Sequence, residues 1–308
     1  MGTPDFAVAS LASIVKANYE VVGVVTAPDK PAGRGRKLKS SAVKEFAVLQ
    51  GLKVLQPTNL KSETFIEEIR LLDPNLFVVV AFRMLPKVVW EFPEFGTFNL
   101  HASLLPDYRG AAPINWVIIN GEQKTGVTTF FINEKIDCGE IILNKEVAIG
   151  THENLGQLHD KLMEVGSLLV IETLQLIEQG SLKTKKQPEV SINKAAPKIF
   201  TETCRINWQR SITELYNFIR GLNPFPGAWT MLESNEGKPM KVKLFDVEIF
   251  LEKHTQPIGS ICLEDKIMRI YAEEGYFQVN SLQIEGKKKM QTQELLNGFK
   301  FQEGSRFL

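Results

Sequence analysis

Two polar side chains, Asn99 and His101, are the residues of this sequence best placed to do chemistry. In an extended strand they stand at positions i and i+2, so both side chains lie on one face. An amide donor and an imidazole that converge on one oxygen suit acyl transfer, in which a tetrahedral intermediate develops negative charge. An isolated pair of this kind is more often structural, with the histidine capping a turn and the asparagine holding a loop.

A single acidic residue, Asp137, follows a later apolar run in the motif Asp137-Cys138-Gly139. A lone aspartate before a glycine is more often a turn residue than a catalyst, and nothing local shows that Asp137 meets His101. Cys138 has no histidine or other base near it in the sequence, so a nucleophilic role for its thiol is weakly supported.

A basic loop with two glycines extends from Asp29 to Lys39. Its positively charged residues are Lys30, Arg34, Arg36, Lys37 and Lys39. A positively charged loop at the end of a strand could bind phosphate groups. A solvated loop without a partner explains the same charge, and the composition of the loop leaves both interpretations open.

Alternating strand and helix patterns must position these residues over roughly the first 150 positions, which predicts an α/β layered domain. The predicted strands are 21–26, 77–81, 97–100, 126–132 and 141–147. The predicted helices are 8–17, 42–50, 61–72 and 113–119. A long amphipathic helix is predicted over 154–179, where Leu158, Leu162 and Leu168 recur at helical spacing.

The pattern changes after this helix, and we expect three parts along the chain. Residues 1–181 form the α/β domain, residues 182–203 a lysine-rich linker, and residues 204–308 a small, mostly-β domain. One helix is predicted at 212–220, followed by short strands at 240–250, 258–262, 267–272 and 276–284. Such a series of short strands is typical of a five-stranded barrel.

The composition limits the class of protein. The 308 residues are 44% hydrophobic and 23% charged, which is typical of a soluble globular chain. The 36 basic residues balance 36 acidic ones, so the net charge gives no indication of nucleic-acid binding. Three widely spaced cysteines indicate a reducing compartment, and no apolar run is long enough to span a membrane. We therefore expect a cytoplasmic protein.

His152 and His159 could share a helix face, but no third ligand supports a metal site.

Four motifs together resemble the folate-dependent formyltransferases. They are Asn99-x-His101, Ser103-Leu104-Leu105-Pro106, Arg109–Ile114 and Asp137-x-Gly139. Three further segments resemble the members of that family that act on initiator methionyl-tRNA. They are Thr3–Phe6, Pro28–Gly35 and Asn223–Gly227, so the resemblance covers essentially the whole chain.

The resemblance implies a Rossmann-like formyltransferase domain with a mostly parallel sheet, followed by an OB-like barrel. It implies transfer of a formyl group from 10-formyltetrahydrofolate to the α-amine of initiator methionyl-tRNA for translation initiation, without a metal. We also expect a monomer that does not contact a membrane. The nearest alternative is a formyltransferase that acts on a small amine, such as a nucleotide-sugar amine or glycinamide ribonucleotide.

The resemblance also implies roles for individual residues. Asn99 and protonated His101 would stabilise the oxyanion, and Asp137 would keep His101 charged and help to move the amine proton. The segment Ser103, Leu104, Leu105 and Pro106 would contact the folate. The 29–39 loop would enter the acceptor end of the tRNA, with Arg34 as its key arginine, and the linker lysines and the barrel would line the rest of the tRNA path.

Two features depart from the family pattern. Relatives often have threonine in place of Cys138, which we expect to be harmless. Relatives also usually carry a strand directly before the position of Gly2, whereas this chain opens at Met1 on a turn that leads into a helix. We therefore expect the sheet to lack its first strand and to expose unpaired backbone there.

Three other classes compete less well. A hydrolase that releases formate could use the same residues, with water in place of the amine. A non-catalytic RNA-binding module built on the barrel would leave the segment 97–139 unexplained. A nicotinamide oxidoreductase is disfavoured because no G-x-G-x-x-G motif follows a strand.

Overall fold

The computed structural model describes residues 1–32, 37–188, 194–233, 238–302 and 304–308. Its α-helices are α1 (Asp5–Lys16), α2 (Ala42–Leu49), α3 (Glu63–Leu72), α4 (Lys87–Trp90), α5 (Pro113–Ile119), α6 (Leu155–Glu178), α7 (Ile212–Gly221) and α8 (Thr292–Leu296). Its strands are β1 (Val24–Val25), β2 (Lys30–Ala32), β3 (Lys37–Lys39), β4 (Val54–Leu55), β5 (Phe77–Val80), β6 (Thr97–His101), β7 (Arg109–Gly110), β8 (Lys124–Phe131), β9 (Ile141–Ala148), β10 (Ala195–Ala196), β11 (Ala228–Glu233), β12 (Met240–Leu251), β13 (Ile261–Glu264), β14 (Ile267–Ala272), β15 (Gly275–Ile284), β16 (Met290–Gln291) and β17 (Arg306–Phe307).

The chain divides into two compact units. The first comprises Met1–Gly110, Lys124–Ala148 and His159–Ala195. The second comprises Ala111–Gln123, Ile149–Leu158 and Ala196–Leu308. The three-part division that we expected from the sequence stays a prediction.

A four-stranded sheet in the order β5-β6-β8-β9 forms the frame of the first unit. β5 and β6 are parallel, whereas β8 runs antiparallel to both of its neighbours. The continuous apolar run in β5 suits this position, because Phe77, Val79 and Val80 are all buried. β1 and β4 form a separate parallel pair. The α/β fold class predicted from the sequence is confirmed.

The β1–β4 pair and the four-stranded sheet are linked through the first residues of the chain. Gly2 forms an isolated parallel bridge with Val80, and its amide donates to the carbonyl of Val25 at 3.0 Å. A cavity of about 190 Å³ adjoins this bridge and is lined by apolar side chains of α1, β1, β5 and α6. The expected absence of a first strand stays a prediction.

Helix α6 packs with a face slightly different from the one predicted. Leu158 and Leu162 are fully buried as expected, but Leu168 is 58% exposed. Leu169 and Val170 are buried in its place, because the helical repeat turns those residues towards the core. None of the described helices, including α6, is long and apolar enough to cross a membrane.

The second unit contains an antiparallel sheet with the strand order β13-β14-β15-β12-β11-β17. Its two ends approach each other, because Ser260, just before β13, bridges Arg306 in β17. Burial alternates along β11 and β14, as expected when one face of each strand points into a core. The predicted barrel-like β domain is confirmed. The core side chains include Trp208, Ile212, Leu215, Ile219, Val242, Leu244, Ile270, Phe277 and Leu282.

Candidate active site

Strand β6 places the two candidate catalytic side chains. Asn99 and His101 lie two residues apart in β6, so the pleat turns both side chains to one face. His101 is only 7% exposed, and its ring meets that of Phe130 edge to face at 6.5 Å. Asn99 is half-buried, and its side chain makes no hydrogen bond within the described part of the chain. Its amide is therefore available to a substrate oxygen.

The two ring nitrogens of His101 have different surroundings. Nε2 lies 2.9 Å from the carbonyl oxygen of Tyr108, and because a carbonyl can only accept, Nε2 carries the hydrogen of that bond. Nδ1 lies 3.9 Å from Oδ2 of Asp137, beyond hydrogen-bond distance but within the range of a charge interaction. The geometry therefore directs Nδ1, rather than Nε2, towards the carboxylate.

Asp137 occupies a tight turn between β8 and β9. Its backbone has a φ of 52°, in the left-handed region that non-glycine residues rarely adopt. Its Oδ2 accepts a hydrogen bond of 2.9 Å from the amide of Gly110. Two residues later, a Cβ on Gly139 would lie 1.5 Å from the carbonyl oxygen of Phe131, so only glycine fits. The Asp137-x-Gly139 spacing thus has a local steric cause.

The segment Ser103–Pro106 is tied to β8 by one hydroxyl group. Thr128 Oγ1 donates to the carbonyl of Ser103 at 2.7 Å and accepts from the amide of Leu105 at 3.2 Å. Ser103 is fully buried, and its own hydroxyl donates to the carbonyl of Asp107 at 2.6 Å. Leu105 is also buried, whereas Leu104 and Pro106 are half-buried. These hydrogen bonds fix the segment locally, and the folate contact expected of it stays a prediction.

The basic loop forms a hairpin of β2 and β3, in which Lys30 stands directly opposite Lys39. Both lysines are exposed, and neither makes an ion pair with any described residue. Asp29, the acid at the start of the loop, is already paired with Lys44, whose hydrogen bond lowers the pKa of Asp29. Arg34 and Arg36 lie outside the described residues, and for Lys37 only the backbone is described.

Three groups at the site could not be found from residue types. They are the carbonyl of Tyr108, the amide of Gly110 and the hydroxyl of Thr128. The first two belong to the backbone, which every residue carries, so the sequence gives no signal for them. Thr128 is paired with His101 across β6 and β8, but this register is visible only in the folded sheet.

The other candidates lie apart from this chemistry. His152 contacts the hydroxyl of Tyr216 at 2.8 Å, and His159 contacts the adjacent Asp160 at 3.0 Å. The described residues contain no group of three or more side chains that could hold a metal ion. Asn99, His101 and Asp137 therefore form the best-organised candidate site, with an amide donor, an imidazole and a carboxylate of the kind that acyl transfer uses.

Family models match both parts of the chain. A model described as "Formyl transferase" matches residues 1–174, and one described as "Formyl transferase, C-terminal domain" matches residues 198–300. The methionyl-tRNA formyltransferase of Flavobacterium johnsoniae is 54% identical over 99% of this chain and 97% of its own length. The enzyme of the same name from Bacteroides thetaiotaomicron is 48% identical over 99% of this chain and 96% of its own length.

Solved structures share the fold at low sequence identity. An N-formyltransferase from Helicobacter canadensis, crystallised with folinic acid and dTDP-3-aminofucose, is 20% identical with a TM-score of 0.63, covering 94% of this chain and 97% of its own. HypX from Aquifex aeolicus, crystallised with tetrahydrofolic acid, is 21% identical with a TM-score of 0.59, covering 81% of this chain and 43% of its own. At these identities the similarity concerns the fold alone.

Proposed function

This chain belongs to the formyl transferase family, and we propose that it transfers the formyl group of 10-formyltetrahydrofolate to the α-amine of initiator methionyl-tRNA. The relatives named methionyl-tRNA formyltransferase are about half identical to it over nearly the whole of both chains.

The observation that carries the proposal is the meeting of His101 and Asp137, which are remote in sequence, beside the unpaired amide of Asn99. In the proposed reaction the folate supplies the formyl carbon, which the methionyl amine attacks. Asn99 donates a hydrogen bond to the oxygen on which negative charge develops. His101 donates to the same oxygen through Nδ1, because Nε2 is held by Tyr108. Each such donor typically contributes about 2.7–4 kcal/mol to the stability of the transition state.

Asp137 completes the proposed reaction by accepting the proton that the amine loses. Its carboxylate lies 3.9 Å from His101 Nδ1, on the side of the ring that donates to the reacting oxygen. The amine loses a proton as the new carbon–nitrogen bond forms, and tetrahydrofolate leaves with a proton on the nitrogen that carried the formyl group. Asp137 accepts the first of these protons, directly or through one water, and passes it to the leaving folate nitrogen, so the reaction neither gains nor loses a proton overall.

The β2–β3 hairpin supports an RNA acceptor. Two like charges directly opposite on neighbouring strands repel, and Lys30 and Lys39 have no acidic partner among the described residues. A phosphate group placed between them would relieve this repulsion. The hairpin is therefore suited to contact an RNA backbone, and an acceptor without phosphates nearby would leave the repulsion in place.

A formyl-transfer assay tests the proposed function. The protein is given 10-formyltetrahydrofolate with initiator methionyl-tRNA, elongator methionyl-tRNA, free methionine or a nucleotide-sugar amine. We expect transfer to the initiator tRNA alone, and a loss of about 10²–10³-fold in kcat for His101→Ala and for Asn99→Ala. Transfer to the sugar amine but not to either tRNA would instead support the alternative acceptor.

We further propose that the chain acts as a monomer in the cytoplasm. Light scattering of the active protein tests the oligomeric state. A mass near 34.7 kDa supports a monomer, and a mass of twice that value contradicts it.

A further inference from the structure

The chain after α6 returns to the edge of the candidate active site. Lys185 forms an isolated antiparallel bridge with Ile141, with two backbone hydrogen bonds of 2.8 and 2.9 Å. The hydroxyl of Thr184 donates to the carboxylate of Glu140 at 2.5 Å. These contacts fix the segment against the start of β9, immediately after the turn that holds Asp137. Gln187 follows two residues later and is half-buried, whereas its neighbours on both sides are exposed.

The side-chain amide of Gln187 donates two hydrogen bonds to the turn that carries Asp137. Its Nε2 donates to the carbonyl of Asp137 at 3.0 Å and to the carbonyl of Gly139 at 2.7 Å. These two carbonyls lie on either side of Cys138, so one amide group uses both of its donors on the same turn. The bonds fix the backbone at Asp137, whose left-handed conformation would otherwise be unfavourable.

The other end of the same amide reaches the opposite side of the site. Gln187 Oε1 accepts from Nη2 of Arg109 at 2.6 Å and from Nε at 3.2 Å. The residue after Arg109 is Gly110, whose amide donates to Oδ2 of Asp137 at 2.9 Å. Gln187 thus connects the turn that carries Asp137 with the segment whose amide binds the Asp137 carboxylate.

We propose that Gln187 is a positioning residue for formyl transfer, which fixes the Asp137 carboxylate at its distance from His101. The inference rests on the proposed function, because it gives Gln187 a role in the same reaction. Gln187 contacts the Asp137 backbone and Arg109, and it acts on the reaction through Asp137. The residue lies within the stretch that the sequence indicates only as a basic linker, so its type and spacing gave no sign of this role.

Replacement of the amide by a carboxylate tests the role of its donors. Gln187→Glu keeps the size of the side chain and its acceptor for Arg109, but it turns an oxygen towards the two carbonyls of the turn. We expect kcat to fall about 10- to 100-fold with the KM values for folate and tRNA within about twofold. Gln50→Glu is the matched control, because Gln50 is exposed in the same unit. It introduces the same charge and should leave kcat unchanged.

A double-mutant cycle separates positioning from a general structural effect. If Gln187 acts through Asp137, then Gln187→Glu should change kcat by less than about twofold in an Asp137→Asn background. An equal fold-loss in both backgrounds, or a kcat near wild type in the single variant, overturns the inference. If Gln187→Glu lowers the unfolding temperature, Gln187→Met repeats the cycle without an added charge and is interpreted in the same way.

A measurement that needs no substrate distinguishes this inference from the proposed function. Cys138 lies between the two residues whose carbonyls Gln187 binds, and its thiol donates to the carbonyl of Ile136 at 3.1 Å. Loss of the two hydrogen bonds from Gln187 should raise the rate of Cys138 alkylation by iodoacetamide several-fold in Gln187→Glu. The rate should not change in Gln50→Glu, and Cys262 serves as the internal reference in both variants. An unchanged rate overturns the inference, whereas wild-type protein inactive on every acceptor contradicts only the proposed function.

Discussion

Residues without reactive groups fix the geometry of the candidate site. Asp137 reaches His101 because its turn folds tightly onto the end of β8, where the carbonyl of Phe131 leaves no room for a Cβ at position 139. Gly139 is thus as important to the site as the carboxylate that its turn positions. At this scale a glycine determines where a carboxylate can stand, and its effect on the reaction is indirect.

Gly139→Ala should therefore impair both stability and transfer. The added methyl group would lie 1.5 Å from the carbonyl oxygen of Phe131, so the turn must move away from β8. We expect a cost of about 1–3 kcal/mol in the free energy of unfolding and a kcat reduced by at least about tenfold. Urea unfolding and the formylation assay measure the two effects.

Gly298→Ala is the control for that variant, because a Cβ at position 298 meets no atom within 4 Å. It should behave like the wild type in both measurements. A Gly139→Ala protein that unfolds and turns over like the wild type would contradict the steric explanation of the Asp137-x-Gly139 motif.

The sequence allowed the chemically distinctive residues of the site to be proposed, but not their connections. Asn99 and His101 share a face of β6 as their spacing predicts. Their approach to Asp137 depends on strand register and on a turn between β8 and β9, which no local pattern encodes. Gln187 was missed for the same reason, since its partners are backbone carbonyls and an arginine about 50 and 78 positions away.

At the scale of elements, β8 supports the candidate site. It pairs with β6 along the register that sets Thr128 opposite His101. A Cβ on Gly126 would come within 2.5 Å of a Leu104 methyl group, so the segment after β6 lies close against the strand. The position of Ser103–Pro106 thus depends on side chains of β8 rather than on its own sequence.

Thr128→Val tests this dependence. The substitution keeps the shape of the side chain but leaves the buried carbonyl of Ser103 and the amide of Leu105 without their shared partner. We expect a loss of about 1–3 kcal/mol in the free energy of unfolding, and a KM for the folate raised several-fold because the 103–106 segment loosens.

Thr128→Ser retains the hydroxyl and should restore the folate KM to within about twofold of the wild type. The experiment therefore measures both variants side by side, by urea unfolding and by initial rates at varied folate. An unchanged folate KM in Thr128→Val would show that the segment keeps its position without this hydroxyl.

Sequence patterns located most elements and missed the shortest or least typical ones. Helix α5 and strand β14 have the predicted limits, and α6 differs by one residue at each end. β4 was missed because its two residues are too few for a pattern, and β11 because it follows directly after the turn at Asn223–Gly227. These strands are defined by their partners in the sheet, which periodicity does not show.

At the scale of the whole molecule, two compact units carry separate cores, and ionisable groups are buried in the second. Cys204 is 1% exposed and Tyr216 is 8% exposed, both within its hydrophobic cluster. Burial raises the pKa of the Cys204 thiol and of the Tyr216 phenol above their ordinary values of 9.0 and 10.0. Nearby positive charge, chiefly Arg220 for Tyr216, opposes this shift without cancelling it.

These raised pKa values predict that the protein loses stability at alkaline pH. Below about pH 8 both groups are almost entirely neutral in the folded and the unfolded chain, so they add little pH dependence there. As the pH rises further, the unfolded chain releases protons that the folded chain retains, and the free energy of unfolding falls until the folded pKa is passed. Each such group contributes a slope of up to about 1.4 kcal/mol per pH unit.

Urea unfolding between about pH 8 and 10.5 tests this prediction. The free energy of unfolding should decline less steeply with pH in the double variant Cys204→Ala with Tyr216→Phe than in the wild type. An identical decline would assign the alkaline loss to other groups.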